Sequence, residues 1–158
     1  MLNDYRRILS QNLWKTDRTF LTENLADWLL TEDSLTAKLE QCYAKFTVSV
    51  LAEKWTDKDE WLREVILWGD GKALVFAQTY FSANLMSAYG NDILRLNQTP
   101  LGYWLFAKNP QRIQTQWQQD PMSNLYARRS HFQIDNADVI ISELFLAEFD
   151  FPLPKEME

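Results

Sequence analysis

"WLREVILWGDGKALVFAQTYF", residues 61–81, decides the fold. Its two halves are apolar, β-branched and aromatic, and Gly69, Asp70 and Gly71 lie between them, where glycine permits the positive φ that a tight hairpin demands. The stretch therefore predicts an antiparallel pair. Upstream, "FTVSVLAEKW" (46–55) has the same character and predicts another strand, separated from the hairpin by the polar turn "TDKDE" (56–60). Downstream, "LYARRSHFQIDNADVIISELFLAEF" (125–149) predicts a second hairpin that turns near Asp135 and Asn136.

The remaining segments read as helices and connections. In "TENLADWLLTEDSLTAKLEQCY" the spacing of Leu25, Trp28 and Leu29 predicts a helix from about residue 22 to 31, and Asp33 or Ser34 is placed to cap a second one. From residue 90 the period changes again, and Ile93, Leu94 and Leu96 fit a short helix. In "TPLGYWLF" (99–106) Thr99 reads as an N-cap and Pro100 as the first helical residue, with Leu105 and Phe106 anchoring the turn to the core. "QRIQTQWQQDPMSN" (111–124) reads as a polar connection. The order is helices, three strands, helices, two strands. It predicts a single α+β domain over residues 1–158, with an antiparallel sheet of five or six strands and helices on one face.

Composition narrows the function classes. The 158 residues are 46% hydrophobic and include seven tryptophans, enough to build one core without disulfides. A net charge of −6 offers no broad basic field to a nucleic acid. The single cysteine, Cys42, excludes an internal disulfide and reads as a small hydrophobe. The longest apolar runs fall far short of a membrane span, so a cytoplasmic location is expected. His131 is the only histidine, which excludes a multi-histidine metal site. "GDGK" is accounted for by the hairpin turn, and no GxxxxGK[ST] or GxGxxG occurs to cradle a phosphate.

Charges inside the apolar strands are the candidate site. Arg63 shares a pleat face with Trp61, Val65 and Leu67, and Glu143 shares one with Val139, Ile141 and Phe145. An inward charge needs a partner, either a residue or a ligand. Alternation alone leaves the facing open, because the opposite faces carry Leu62, Ile66 and Trp68 with Glu64, and Ile140, Leu144 and Leu146 with Ser142. Arg128 and Arg129 are adjacent, so only one of them serves a given face.

Taken in order, "DWLLTEDSLTAKLEQ", "WLREVILWGDGK", "TPLGYWLF", "ARRSHF" and "ISELFLAEF" resemble the chorismate pyruvate-lyases, and the likeness runs from about residue 25 to 148. The resemblance implies removal of pyruvate from chorismate to leave 4-hydroxybenzoate for ubiquinone biosynthesis. It further implies a cytosolic monomer with no metal or organic cofactor, and a sheet with helical flaps over a buried ligand. Carried over by position, Arg63 pairs with the ring carboxylate, Glu143 lies near the ring 4-oxygen, and the backbone N–H groups of Leu35 and Leu101 contact the ligand carboxylate. Gln78 stands where an arginine is common, which implies a weaker hold on the second carboxylate. Leu35 replaces a common methionine, a mild change. The short 56–60 loop implies altered access to the site. The rival expectations are a non-catalytic small aromatic carboxylate-binding domain of the same fold, and a structural module in which Arg63 and Glu143 pair with each other.

Overall fold

The computed structural model describes residues 1–153. Among them the chain forms α1 (Leu2–Ser10), α2 (Glu23–Leu29), α3 (Leu35–Cys42), β1 (Phe46–Trp55), β2 (Trp61–Gly69), β3 (Lys72–Phe81), α4 (Ala83–Leu94), α5 (Leu101–Ala107), β4 (Gln111–Gln119), β5 (Tyr126–Ile134) and β6 (Ala137–Phe145). The strands make one six-stranded sheet in the order β1-β2-β3-β6-β5-β4, antiparallel at every pairing. Two three-strand meanders thus meet along β3 and β6, and the α+β class holds.

Both hairpins read from the sequence are present, each closed by two residues with positive φ: Asp70 at 51° and Gly71 at 81°, then Asp135 at 51° and Asn136 at 67°. These are the angles that let a two-residue turn follow the right-handed twist of its strands. Three of the five helices begin at hydroxyl caps. Thr22, Ser34 and Ser82 accept hydrogen bonds from the N–H groups of Leu25, Ala37 and Leu85.

Four expectations change. The segment 111–124 contains the strand β4, built by backbone pairing to β5 rather than by an apolar pattern. Its glutamines lie on an edge strand with much of its surface exposed, while Trp117 and Gln118 are buried. Helix α4 starts at Ala83, earlier than the period change suggests, because Ser82 caps it directly after β3. Pro100 itself is the N-cap of α5, in extended geometry at φ −60° and ψ 132°, so the helix starts at Leu101 and Thr99 caps nothing. Finally, the helices do not all lie on one face, because α1 covers the other.

The two faces have separate cores. One buries Val65, Leu67, Val75, Ala77 and Phe145 beneath Trp28, Leu35 and Leu39 of α2 and α3. The same face continues as Phe81, Phe132 and Val139 beneath Leu85 and Ile93 of α4 and Leu105 of α5. The opposite face buries Ile66, Phe76 and Leu144 beneath Ile8 and Leu9 of α1.

Candidate active site

Between the sheet and the starts of α3 and α5 lies a cavity lined by Arg63, Arg112, Arg128 and Glu143, with Leu35 and Leu101 among the residues that cover it. Strand register places these groups. Glu143 sits opposite Ala77 on one side and Arg128 on the other, and Arg63 lies one pleat along, in the row of Thr79, Ile141 and Ser130. All share the face that carries Val65 and Phe145 into the core, so the two inward charges singled out by alternation do converge on one cavity.

They do not pair with each other. Glu143 Oε1 accepts a 2.6 Å hydrogen bond from Arg128 Nε, and Arg128 Nη1 donates to the Trp28 carbonyl at 3.1 Å. Both partners of this ion pair are buried. An ion-paired carboxylate can only accept hydrogen bonds, so Glu143 is set to receive a donor such as a ring hydroxyl.

Arg63 is only 2% exposed. Its Nη2 donates to the Thr99 carbonyl at 3.1 Å, whereas Nη1 makes no hydrogen bond. The nearest carboxylate, Glu53 Oε1, is 3.7 Å from Nη1. A β-bulge between Val50 and Ala52 brings Glu53 opposite Arg63, since regular pairing would give its place to Ala52. Burial lowers the Arg63 pKa and Glu53 raises it in part, with the net shift downward. A guanidinium remains charged through such a shift. The site therefore holds a buried cation whose carboxylate neighbour, Glu53, stays beyond hydrogen-bond distance, with one donor left over.

The cover is made by two helix starts in contact. A Cβ on Gly102 would lie 3.1 Å from both Ser34 Oγ and Thr36 Oγ1, so glycine lets α5 approach α3 this closely. Tyr103 of α5 also donates to Glu40 of α3. This explains the order of residues in "TPLGYWLF": Pro100 starts the helix, Leu101 covers the cavity, Gly102 admits α3, and Leu105 enters the core. With Pro100 offering no side-chain cap, the first N–H groups of α5 have no capping partner.

Three sequence expectations fail here. Gln78 lies on the far face, where its Nε2 donates to Glu64 Oε2 at 2.8 Å, so it withholds no charge from this cavity. The 56–60 loop borders the depression on that same far face and not this cavity. Arg112, read as part of a polar connection, is a cavity residue. Arg128 is the member of its pair that faces inward, while Arg129 stacks over Trp14 on the other side. His131 bonds Asp138 at 2.7 Å and is not among the cavity residues. Among the described residues no three of His, Cys, Asp and Glu cluster as a metal site, and no helix is long and apolar enough to cross a membrane.

Comparison with known proteins gives relatives along most of the chain. A "Probable chorismate pyruvate-lyase" of Photobacterium profundum is 31% identical, with 91% of each chain covered. One of Pasteurella multocida is 30% identical over 92% of this chain and 94% of its own. A "Chorismate pyruvate-lyase" of Pectobacterium atrosepticum is 28% identical over 94% and 92%. The family model described as chorismate lyase matches residues 8–151. Every residue of the cavity lies within that span, and the chain belongs to the chorismate lyase family.

Proposed function

We propose that this chain removes pyruvate from chorismate to leave 4-hydroxybenzoate. The observation that carries the reading is Arg63, a buried guanidinium whose Nη1 lacks a hydrogen-bond partner beside a covered cavity. A ring carboxylate there supplies the missing acceptor and charge, and a paired guanidinium–carboxylate contact fixes the ring plane. The N–H groups of Leu35 and Leu101, at the starts of α3 and α5, lie where they can add to that grip.

With the carboxylate held at Arg63, the ring extends toward Glu143, which accepts from the 4-hydroxyl. In the reaction the bond from the ring to the enolpyruvyl ether oxygen breaks and the hydrogen on the neighbouring hydroxyl-bearing carbon leaves. The ring becomes aromatic, and the enolpyruvyl methylene ends as the methyl of pyruvate. Aromatisation supplies the driving force, so the protein's task is orientation and stabilisation of charge as the ether oxygen departs. Glu143 and Arg128 act here as a preset acceptor and cation. The cavity leaves about 60 Å³, against roughly 300 Å³ or more for pockets that enclose a small molecule. On this reading the cavity widens to admit the substrate. The same reading assigns a monomer working in the cytoplasm.

The test is to mix purified protein with chorismate, without added metal, and follow 4-hydroxybenzoate and pyruvate together by chromatography. Equal appearance of both above the uncatalysed background is expected. Appearance of neither from folded protein overturns the reading.

A further inference from the structure

Chorismate carries two carboxylates, and Arg63 accounts for one. We propose that Arg112 binds the second, the carboxylate on the ether arm. The inference rests on the lyase reading for the identity of the substrate, and on the following geometry for the residue.

Strand alternation directs Arg112 away from the cavity, since Thr115 and Trp117 hold the inward positions of β4, opposite Ser130 and Arg128. A bulge reverses this. The register shifts between Arg112 and Gln114, so Ile113 is left over and Arg112 sits opposite Phe132 on the inward face. Ile113 is displaced outward to 44% exposure. Bulges of this kind re-aim a side chain at the cost of one ladder position. The re-aimed guanidinium is then held in place: its carbon lies 4.4 Å from the Phe132 ring centre, Nη1 donates to Thr115 Oγ1 at 2.9 Å and Ser130 Oγ at 3.2 Å, and Nη2 donates to the Glu32 carbonyl at 3.2 Å.

Every one of those partners is neutral, and among the described residues no carboxylate lies within salt-bridge distance of Arg112. Burial lowers its pKa, and the neighbouring Arg128 lowers it further, against the opposing pull of Glu143, Glu32 and Asp33. Arg112 thus stands beside the Glu143–Arg128 pair as a cation lacking a counter-ion. Of the three arginines lining the cavity, Arg128 is paired with Glu143 and Arg63 lies 3.7 Å from Glu53, so Arg112 is the one without a carboxylate at salt-bridge distance among the described residues. After elimination the two carboxylates belong to separate molecules, and neither product engages both arginines.

Two non-reacting probes that differ by one carboxylate test this: 3-(carboxymethoxy)-4-hydroxybenzoate, which keeps an acidic ether arm, and 3-methoxy-4-hydroxybenzoate, which lacks the acid. Calorimetric titration of the parent protein is expected to show tighter binding of the acid-armed probe. In Arg112→Gln this preference should fall on the order of 10-fold or more, with little change for the methoxy probe, and Arg112→Lys should restore part of it. Chorismate KM should rise in Arg112→Gln more than kcat falls. A preference absent from the parent, or retained in Arg112→Gln, overturns the proposal. If Arg112→Gln fails to fold, the Lys variant and the parent's own preference still decide. Failure of the lyase reading is recognised separately, as probe binding without turnover of chorismate.

Discussion

On the α1 face of the sheet, Glu64 is only 2% exposed but fully engaged, held by Arg6 at 2.8 Å and Gln78 at 2.8 Å. On the α3 and α5 face, its sequence neighbour Arg63 is equally buried and incompletely bonded. One residue step along β2 separates a buried charge with both oxygens bonded from a buried charge with a donor left over. Burial alone does not separate the two, whereas the state of their hydrogen bonds does.

Exchanging the two charges for neutral groups should pull the faces apart. Arg63→Ala is expected to lower kcat/KM on the order of 10³-fold while leaving stability within about 1 kcal/mol, as read by steady-state kinetics and urea unfolding. A large stability loss with turnover retained would move Arg63 to the structural side. Glu143→Gln removes the negative charge, replaces one acceptor oxygen with a donor, and leaves the Arg128 charge uncompensated. We expect kcat to fall on the order of 10²-fold, and unchanged kinetics in the folded variant would end its assignment to the reaction. Gly102→Val forces the starts of α3 and α5 apart and should reduce kcat/KM by roughly 10-fold, with chorismate protecting the variant less against thermal unfolding than it protects the parent.

The α1 face should answer to pH instead. Burial pushes the Glu64 carboxyl up, but hydrogen bonds from Arg6 and Gln78 outweigh it and leave the pKa below the ordinary carboxylate range. A folded-state value below the unfolded one contributes stability above the unfolded pKa and loses it as pH falls through the folded value. Unfolding free energy measured from neutral to acidic pH should therefore decline less steeply in Glu64→Gln than in the parent. An identical slope would show that Glu64 is not a linked group. The smallest effect is expected for Gln78→Met, which lowers stability by about 1 kcal/mol and leaves chorismate KM within about twofold. A large KM change there would mean that the two faces communicate.

The sequence made legible whatever follows turn chemistry or strict period. The 61–81 hairpin and the Asp135-Asn136 turn come from turn chemistry between apolar runs, and alternation put Arg63 and Glu143 on apolar faces while leaving open which face is inside; the structure turns both inward. Arg112 escaped because a bulge at Ile113 inverts the parity of the strand, and bulges leave no reliable trace in side-chain pattern. β4 escaped as a strand because backbone pairing built it, with glutamines where strand formers are usual. Gln78 was misplaced for the opposite reason: resemblance tied it to the second carboxylate, although alternation already set it on the far side of Ala77 and Thr79. Helix α1 did leave a signal, with Leu2, Tyr5, Ile8 and Leu9 along one stripe.

Each cavity arginine also donates to a backbone carbonyl of the segments above the sheet: Arg63 to Thr99 before α5, Arg112 to Glu32 before α3, Arg128 to Trp28 of α2. On the proposed reading, the cations that receive the substrate's charges also tie down the segments above them. Opening breaks these latches, and a bound anion competes for the donors that make them. Affinity and residence time then cannot be tuned independently, because any change that loosens the grip on a carboxylate also loosens the door through which it leaves.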